Sequence, residues 1–172
     1  MKSKKIFITG GAGYVGTELT ELLLNKGYIV TVYDLLIYGD NLKKHKNLKV
    51  IKGDIRDQNK IENSISDHDT IIHLACISND PSFELNENLS TSINMDAFEP
   101  MVKIAKKNKI KRFIYAASAS CYGIPKKFPT DENSEIDTQY PYALTKYLGE
   151  KIVLHWSNIY KIPSVSLRFF NV

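Results

Sequence analysis

The strongest constraint on this chain is a glycine loop set between a short β-branched run and a helical pattern. Lys5–Thr9 reads as a strand and runs straight into Gly10-Gly11-Ala12-Gly13-Tyr14-Val15-Gly16. Val15, Leu19, Leu22 and Leu23 then recur at helical spacing until Gly27 stops them. Gly10, Gly13 and Gly16 give the pattern G-x-x-G-x-x-G. Glycines so placed permit a tight turn, close approach of backbone to a pyrophosphate, and close packing of helix on strand. The phosphates would lie at the helix N-terminus, where unpaired N–H groups and the helix dipole favour anions. The next strand-like run, Ile29–Tyr33, ends at Asp34. A carboxylate there can bind both hydroxyls of an adenosine ribose and would repel a 2′-phosphate, which points to NAD rather than NADP.

Four further runs read as strands: Leu48–Lys52, Thr70–Leu74, Arg112–Ala116 and Ser164–Phe169. Between most of them lie helical stripes. One comprises Leu89, Ile93, Ala97, Met101 and Ala105; a later helix is expected from about Pro141 to Tyr160, with the proline in its first turn. This alternation predicts an α/β fold, a doubly wound, mostly parallel Rossmann sheet with helices on both faces. Pro100 falls inside a helical stripe, where proline costs about 3 kcal/mol, so a kink or two consecutive helices is expected there.

Composition narrows the partners. The 172 residues are 43% hydrophobic and 24% charged, with a net charge of +4, ordinary for a globular domain large enough to bury its own core. The lysines are scattered in small groups, which argues against nucleic acid as a partner. No apolar run approaches the roughly 18 residues of a membrane span, and no secretory signal is visible. Cys76 and Cys121 form no CxxC pair and read as two buried cytosolic thiols. A cytoplasmic protein is expected. The four histidines are dispersed, so no metal site is expected.

Further along, six motifs fall in one order. After the glycine loop come Gly53-Asp54-Ile55-Arg56-Asp57, His73-Leu74-Ala75 and Arg112-Phe113-Ile114-Tyr115-Ala116-Ala117-Ser118, the last followed by Cys121-Tyr122-Gly123. Tyr142-Ala143-Leu144-Thr145-Lys146 and Leu167-Arg168-Phe169-Phe170-Asn171-Val172 complete the set. In these, the whole chain resembles the extended short-chain dehydrogenase/reductase family, the NAD-dependent epimerase/dehydratases of nucleotide sugars. The resemblance implies that NAD is held by Gly10, Gly13, Tyr14, Val15, Gly16, Asp34, Asp54, Ile55, Leu74, Ala75, Cys76, Tyr142 and Lys146. It implies catalysis by Tyr142, Lys146 and Ser118, with Ser118 and Asn171 reaching the substrate.

Tyr142 and Lys146, four apart, share a helix face. A nearby ammonium would lower the phenol's pKa from about 10 and let it act as a base. The phenol would then take a proton from a sugar hydroxyl as hydride leaves the same carbon for NAD, with Ser118 aligning that oxygen. Dehydratases of the family carry acids just after the Ser/Thr; here Ala119 and Ser120 stand there, which disfavours dehydration. A nucleotide-sugar epimerase working through a keto intermediate is the first reading. A nucleotide-sugar reductase or dehydrogenase, and a non-catalytic dinucleotide-binding module, are the alternatives. Ser78, Asn79 and Asp80 read equally as substrate neighbours or turn formers before Pro81, and His73 as a packed strand residue. Residues 1–172 are expected to form one NAD-binding domain, ending where the family's C-terminal substrate domain would begin, with that domain expected to be absent. An exposed sheet edge is expected to follow, and by resemblance a homodimer through the two long helices, about 84–107 and 141–160.

Overall fold

In the computed structural model, which describes residues 4–170, the glycine loop is the first turn of a six-stranded sheet. The strands are β1 (Lys5–Thr9), β2 (Ile29–Asp34), β3 (Leu48–Lys52), β4 (Thr70–His73), β5 (Arg112–Ser118) and β6 (Ser164–Phe169). They lie in the order β3-β2-β1-β4-β5-β6, and every neighbouring pair is parallel. The order reverses between β1 and β4, so a crevice opens beyond the carboxyl ends of these two strands. The helices are α1 (Tyr14–Asn25), α2 (Gln58–Ile65), α3 (Asp80–Glu84), α4 (Glu87–Thr91), α5 (Phe98–Lys107) and α6 (Pro141–Tyr160).

Two faces follow from the period of two in the strands. Ile6, Ile8, Val30, Val32 and Ile72 point toward α1 and pack with Leu24 and Leu19. Phe7, Tyr33, Ile71, Phe113 and Tyr115 point the other way and pack with Ile61 and Ile65 of α2, Phe98 and Met101 of α5, and Val153 of α6. Burying each such large side chain contributes roughly 1.5–3 kcal/mol. On the α1 side the cover stops short of the far strands. Val165, Leu167 and Phe169 of β6, in register with Ile114, Ala116 and Ser118, remain exposed on that face. The open surface is thus a sheet face as well as the expected edge.

Pro100 is accommodated by breaking the helix. A π-helical turn at Ser92–Asp96 separates α4 from α5, and Ala97 N–H donates to Ser92 O, five residues back. Pro100 then sits in the first turn of α5, where its missing N–H costs no intrahelical bond. The stretch about 84–107 is therefore a chain of short helices rather than one. His73 is buried in the strand as expected; its Nδ1 lies 2.6 Å from Thr9 Oγ1, and its ring packs against both Phe98 and Tyr115. No helix is long and apolar enough to cross a membrane among the described residues.

An almost buried ion pair ties the end of the sheet together. Arg168 of β6 donates to Glu150 of α6 through Nε at 2.9 Å and Nη2 at 2.7 Å, and through Nη1 to Tyr122 Oη at 2.7 Å. The two charged side chains are 15% and 5% exposed. Removing one partner strands the other charge, so Arg168→Met should lower unfolding stability by about 3 kcal/mol in chemical denaturation. The double variant Arg168→Met/Glu150→Leu should recover most of that loss; a double variant as unstable as the single would refute this account.

Candidate active site

The glycine loop is shaped by contact as much as by turning. Gly10 has φ +72°, and a Cβ placed on it would come within 2.6 Å of Ala75 N. One on Gly16 would come within 2.5 Å of Gly10 O. The loop therefore lies against the end of β4 while α1 lies against the loop, with no space for a methyl group at either seam. Gly13 O accepts from Thr17 N–H at 2.9 Å and from Thr17 Oγ1 at 2.8 Å. The N–H groups of Tyr14, Val15 and Gly16 open α1, where no intrahelical acceptor exists, and no acidic side chain occupies that turn. This is a cradle fitted to a pyrophosphate.

Asp34 ends β2 and faces the same loop. Its Oδ2 accepts from Ala12 N–H at 3.0 Å and its Oδ1 from Leu36 N–H at 2.8 Å. A carboxylate has about four acceptor positions, so each oxygen retains one for a ribose hydroxyl. Two adjoining cavities cover this end of the sheet. The smaller, about 160 Å³, is walled by Asp34, Ile55 and Ala75; the larger, about 800 Å³, by Tyr14, Val15, Gly16, Ser118, Tyr142 and Lys146. Gly10, Gly13, Leu74 and Cys76 line both. Asp54 is the predicted cofactor residue that neither cavity includes. Its carboxylate is held by Arg56 through Nε at 3.0 Å and Nη2 at 2.5 Å, which keeps it well below the usual carboxylate range. Asn171 lies outside the described residues.

The catalytic candidates come from different elements. Ser118 ends β5, and its Oγ accepts from Ser120 N–H at 3.2 Å and Ser120 Oγ at 2.8 Å. With both lone pairs so used, its own proton is free to be donated into the cavity. Tyr142 and Lys146 sit in the first two turns of α6, which lacks a side-chain cap of its own. Asp80, across 62 residues, supplies one: its Oδ1 accepts from Tyr142 N–H at 3.1 Å. Asn79 caps α3, whose first turn holds Pro81, by accepting from Ser82 N–H at 2.9 Å. Ser78, Asn79 and Asp80 also line the larger cavity. The cap from Asp80 and the support from Ser120 had no sequence signal beyond polar residues near a motif.

Electrostatics depart from the sequence expectation at one point. Tyr142 is pushed up to about 12, first by burial, then by the Cys76 sulfur and the Asp80 carboxylate, while the Ser118 hydroxyl opposes the rise. Lys146 does not lower it. The lysine is buried, its ammonium is directed over the Tyr115 ring at 4.6 Å, and its pKa falls through burial, opposed by the neighbouring Cys76 sulfur. Sharing a helix face brought the two side chains into one cavity but did not put the charge against the phenol. Among the described residues, no group of three or more His, Cys, Asp or Glu could hold a metal ion.

Sheet order and first-turn cradle together define a Rossmann domain. The chain belongs to the NAD dependent epimerase/dehydratase family, whose model matches residues 6–172. It is 30% identical over 169 residues to a putative UDP-glucose 4-epimerase from Methanocaldococcus jannaschii, covering 97% of this chain and 55% of that protein. A UDP-N-acetylglucosamine 4-epimerase from Methanobrevibacter ruminantium, solved with UDP-N-acetylmuramic acid, superposes with a TM-score of 0.91 at 31% identity, over 99% of this chain and 56% of that one. The Bordetella bronchiseptica enzyme WbmH, solved with NAD+, superposes with a TM-score of 0.83 at 31% identity, over 96% and 56%. The chain thus spans about half the length of these relatives.

Burial holds His73 at about 3, well below its ordinary 6.5, with Lys146 adding to the effect. The unfolded chain therefore binds a proton at this position between about 6.5 and 3 while the folded chain does not. Stability from neutral His73 is present above that window and is lost as pH falls through it. Urea midpoints should drop from about pH 6.5 to 4, and His73→Phe should flatten the slope; an unchanged slope would contradict this assignment.

Proposed function

We propose that this chain is the NAD-binding part of a UDP-hexose 4-epimerase. The observation that carries the reading is the meeting of Ser118, Tyr142 and Lys146 in one cavity with the glycine cradle, on a chain of this family. The 4-epimerase names of similar proteins, acting on UDP-glucose and UDP-N-acetylglucosamine, support the substrate class. The NAD+ bound to a related enzyme supports the cofactor.

When bound, NAD accepts a hydride from the sugar carbon and returns it, and its positive ring favours a phenolate nearby. Gly10, Gly13 and the opening amides of α1 hold the pyrophosphate, with Tyr14, Val15 and Gly16 at the bend. Asp34 takes the adenosine ribose; Ile55, Leu74, Ala75 and Cys76 form the wall along which the dinucleotide runs. Asp54, tied to Arg56, shapes this wall through its backbone, since its carbonyl accepts from Tyr33 Oη at 2.9 Å. Lys146, which lines the same cavity, would hold the nicotinamide ribose. Tyr142 removes the proton from the sugar hydroxyl and later restores it, while Ser118 donates to the same oxygen. Ala119 and Ser120 offer no carboxyl group, so elimination of water lacks its acid and base.

Residues 1–172 then form one dinucleotide-binding domain, with further sugar-nucleotide contacts, Asn171 among them, supplied by or near a substrate domain. We further propose a cytoplasmic homodimer joined through α5 and α6. A dehydrogenase would consume NAD stoichiometrically; an epimerase recycles it, and a binding module needs neither Tyr142 nor Lys146.

Calorimetry should show NAD binding about tenfold or more tightly than NADP, a difference of about 1.4 kcal/mol or more, and Asp34→Asn should narrow the gap. Equal affinities would remove the ribose role of Asp34. Interconversion of UDP-glucose and UDP-galactose should fall by about 100-fold or more in Tyr142→Phe, with NAD affinity within about threefold. Unchanged turnover in that variant would eliminate the proposed base.

A further inference from the structure

Cys76 has no part in the proton and hydride chemistry above, yet it stands where both cavities meet. It is partly open, whereas Cys121 is 1% exposed. A second feature points into the same space. Lys146 is 3% exposed, lines the larger cavity, and no oxygen accepts from its ammonium among the described residues. Its ammonium lies over the Tyr115 ring at 4.6 Å, and Cys76 lines the same cavity. A partly open thiol that shares a cavity with a lysine is the setting in which protein thiols attack electrophiles.

We infer that Cys76 is a covalent modification site for small thiol-directed electrophiles, and that its modification and NAD binding exclude each other. The second half rests on the cofactor reading above. With an α-haloacetamide, the Cys76 sulfur forms a bond to the methylene carbon as the carbon–halogen bond breaks. Halide leaves, and the thiol proton passes to solvent. Lys146 lines the same cavity, where its positive charge favours the charge separation of the attack. Cys76 lines both cavities, so a group added to its sulfur occupies the space where the dinucleotide would run. Only the cofactor-free protein then exposes this thiol.

The test uses iodoacetamide on the native chain, with peptide mass spectrometry resolving the two cysteines. Cys121 is a built-in control, since burial pushes its thiol up. Cys76 should react at least about tenfold faster than Cys121 in the folded chain, and the two should react alike in denaturant. Saturating NAD should slow the Cys76 reaction by about tenfold, and the modified chain should lose NAD binding by calorimetry. Lys146→Met should slow labelling severalfold, while Lys146→Arg retains it. Equal native rates at the two cysteines would overturn the inference, as would a rate indifferent to Lys146→Met. A Cys76 rate unaffected by NAD that calorimetry shows to be bound would also overturn it and leave the cofactor reading intact. If NAD does not bind at all, the cofactor reading falls with the claim of exclusion, and the comparison of Cys76 with Cys121 and the Lys146 variants still decides the modification site.

Discussion

Everything in this molecule is organised around two backbone contacts at the first βα turn. Gly10 touches the end of β4 at Ala75, and Gly16 touches the carbonyl of Gly10. These contacts bring β1, β4 and the start of α1 to one point at the place where the strand order reverses. The unpaired amides of α1 open there, and Asp34 reaches across from β2 to hold Ala12. An added methyl group at either glycine would separate the elements and move the amides away from the rest of the cavity.

The second half of the site depends on long-range supports. α6 carries Tyr142 and Lys146 but starts without its own side-chain cap, and Asp80 at the end of another loop supplies one. At its middle, Glu150 binds Arg168 of the last strand. α6 is thus fixed at one end by the loop after β4 and further along by β6. Both supports use charge in sheltered positions, where a missing partner costs far more than the pair contributes.

The charge distribution in the cavity also has a logic. Burial lowers the affinity of Lys146 and His73 for protons and raises that of Tyr142. All three shifts favour neutral groups, because burial penalises the charged form of each. A bound cationic ring would reverse the balance for the phenol. In the proposed reaction, chemistry and cofactor would then be coupled, because the phenol would become a competent base only where the hydride acceptor is bound.

Much of this was legible in sequence because the signals were local. Strand runs, the helix at Pro141–Tyr160 and the glycine loop each depend on residues close together in the chain, so periodicity and spacing carry them. Ser118, Tyr142 and Lys146 could be singled out because their motifs are short. Other features were decided only by packing. Pro100 allowed either a kink or a break, and the π turn settled it through the one extra residue before α5. Shared helix face predicted that Lys146 would act on Tyr142, but the side chain instead follows the space beneath Tyr115. The sequence determined which groups would be present and which element would carry each. The tertiary structure alone decided where each charge points and how sheltered it is, because burial and through-space neighbours arise only when distant segments meet.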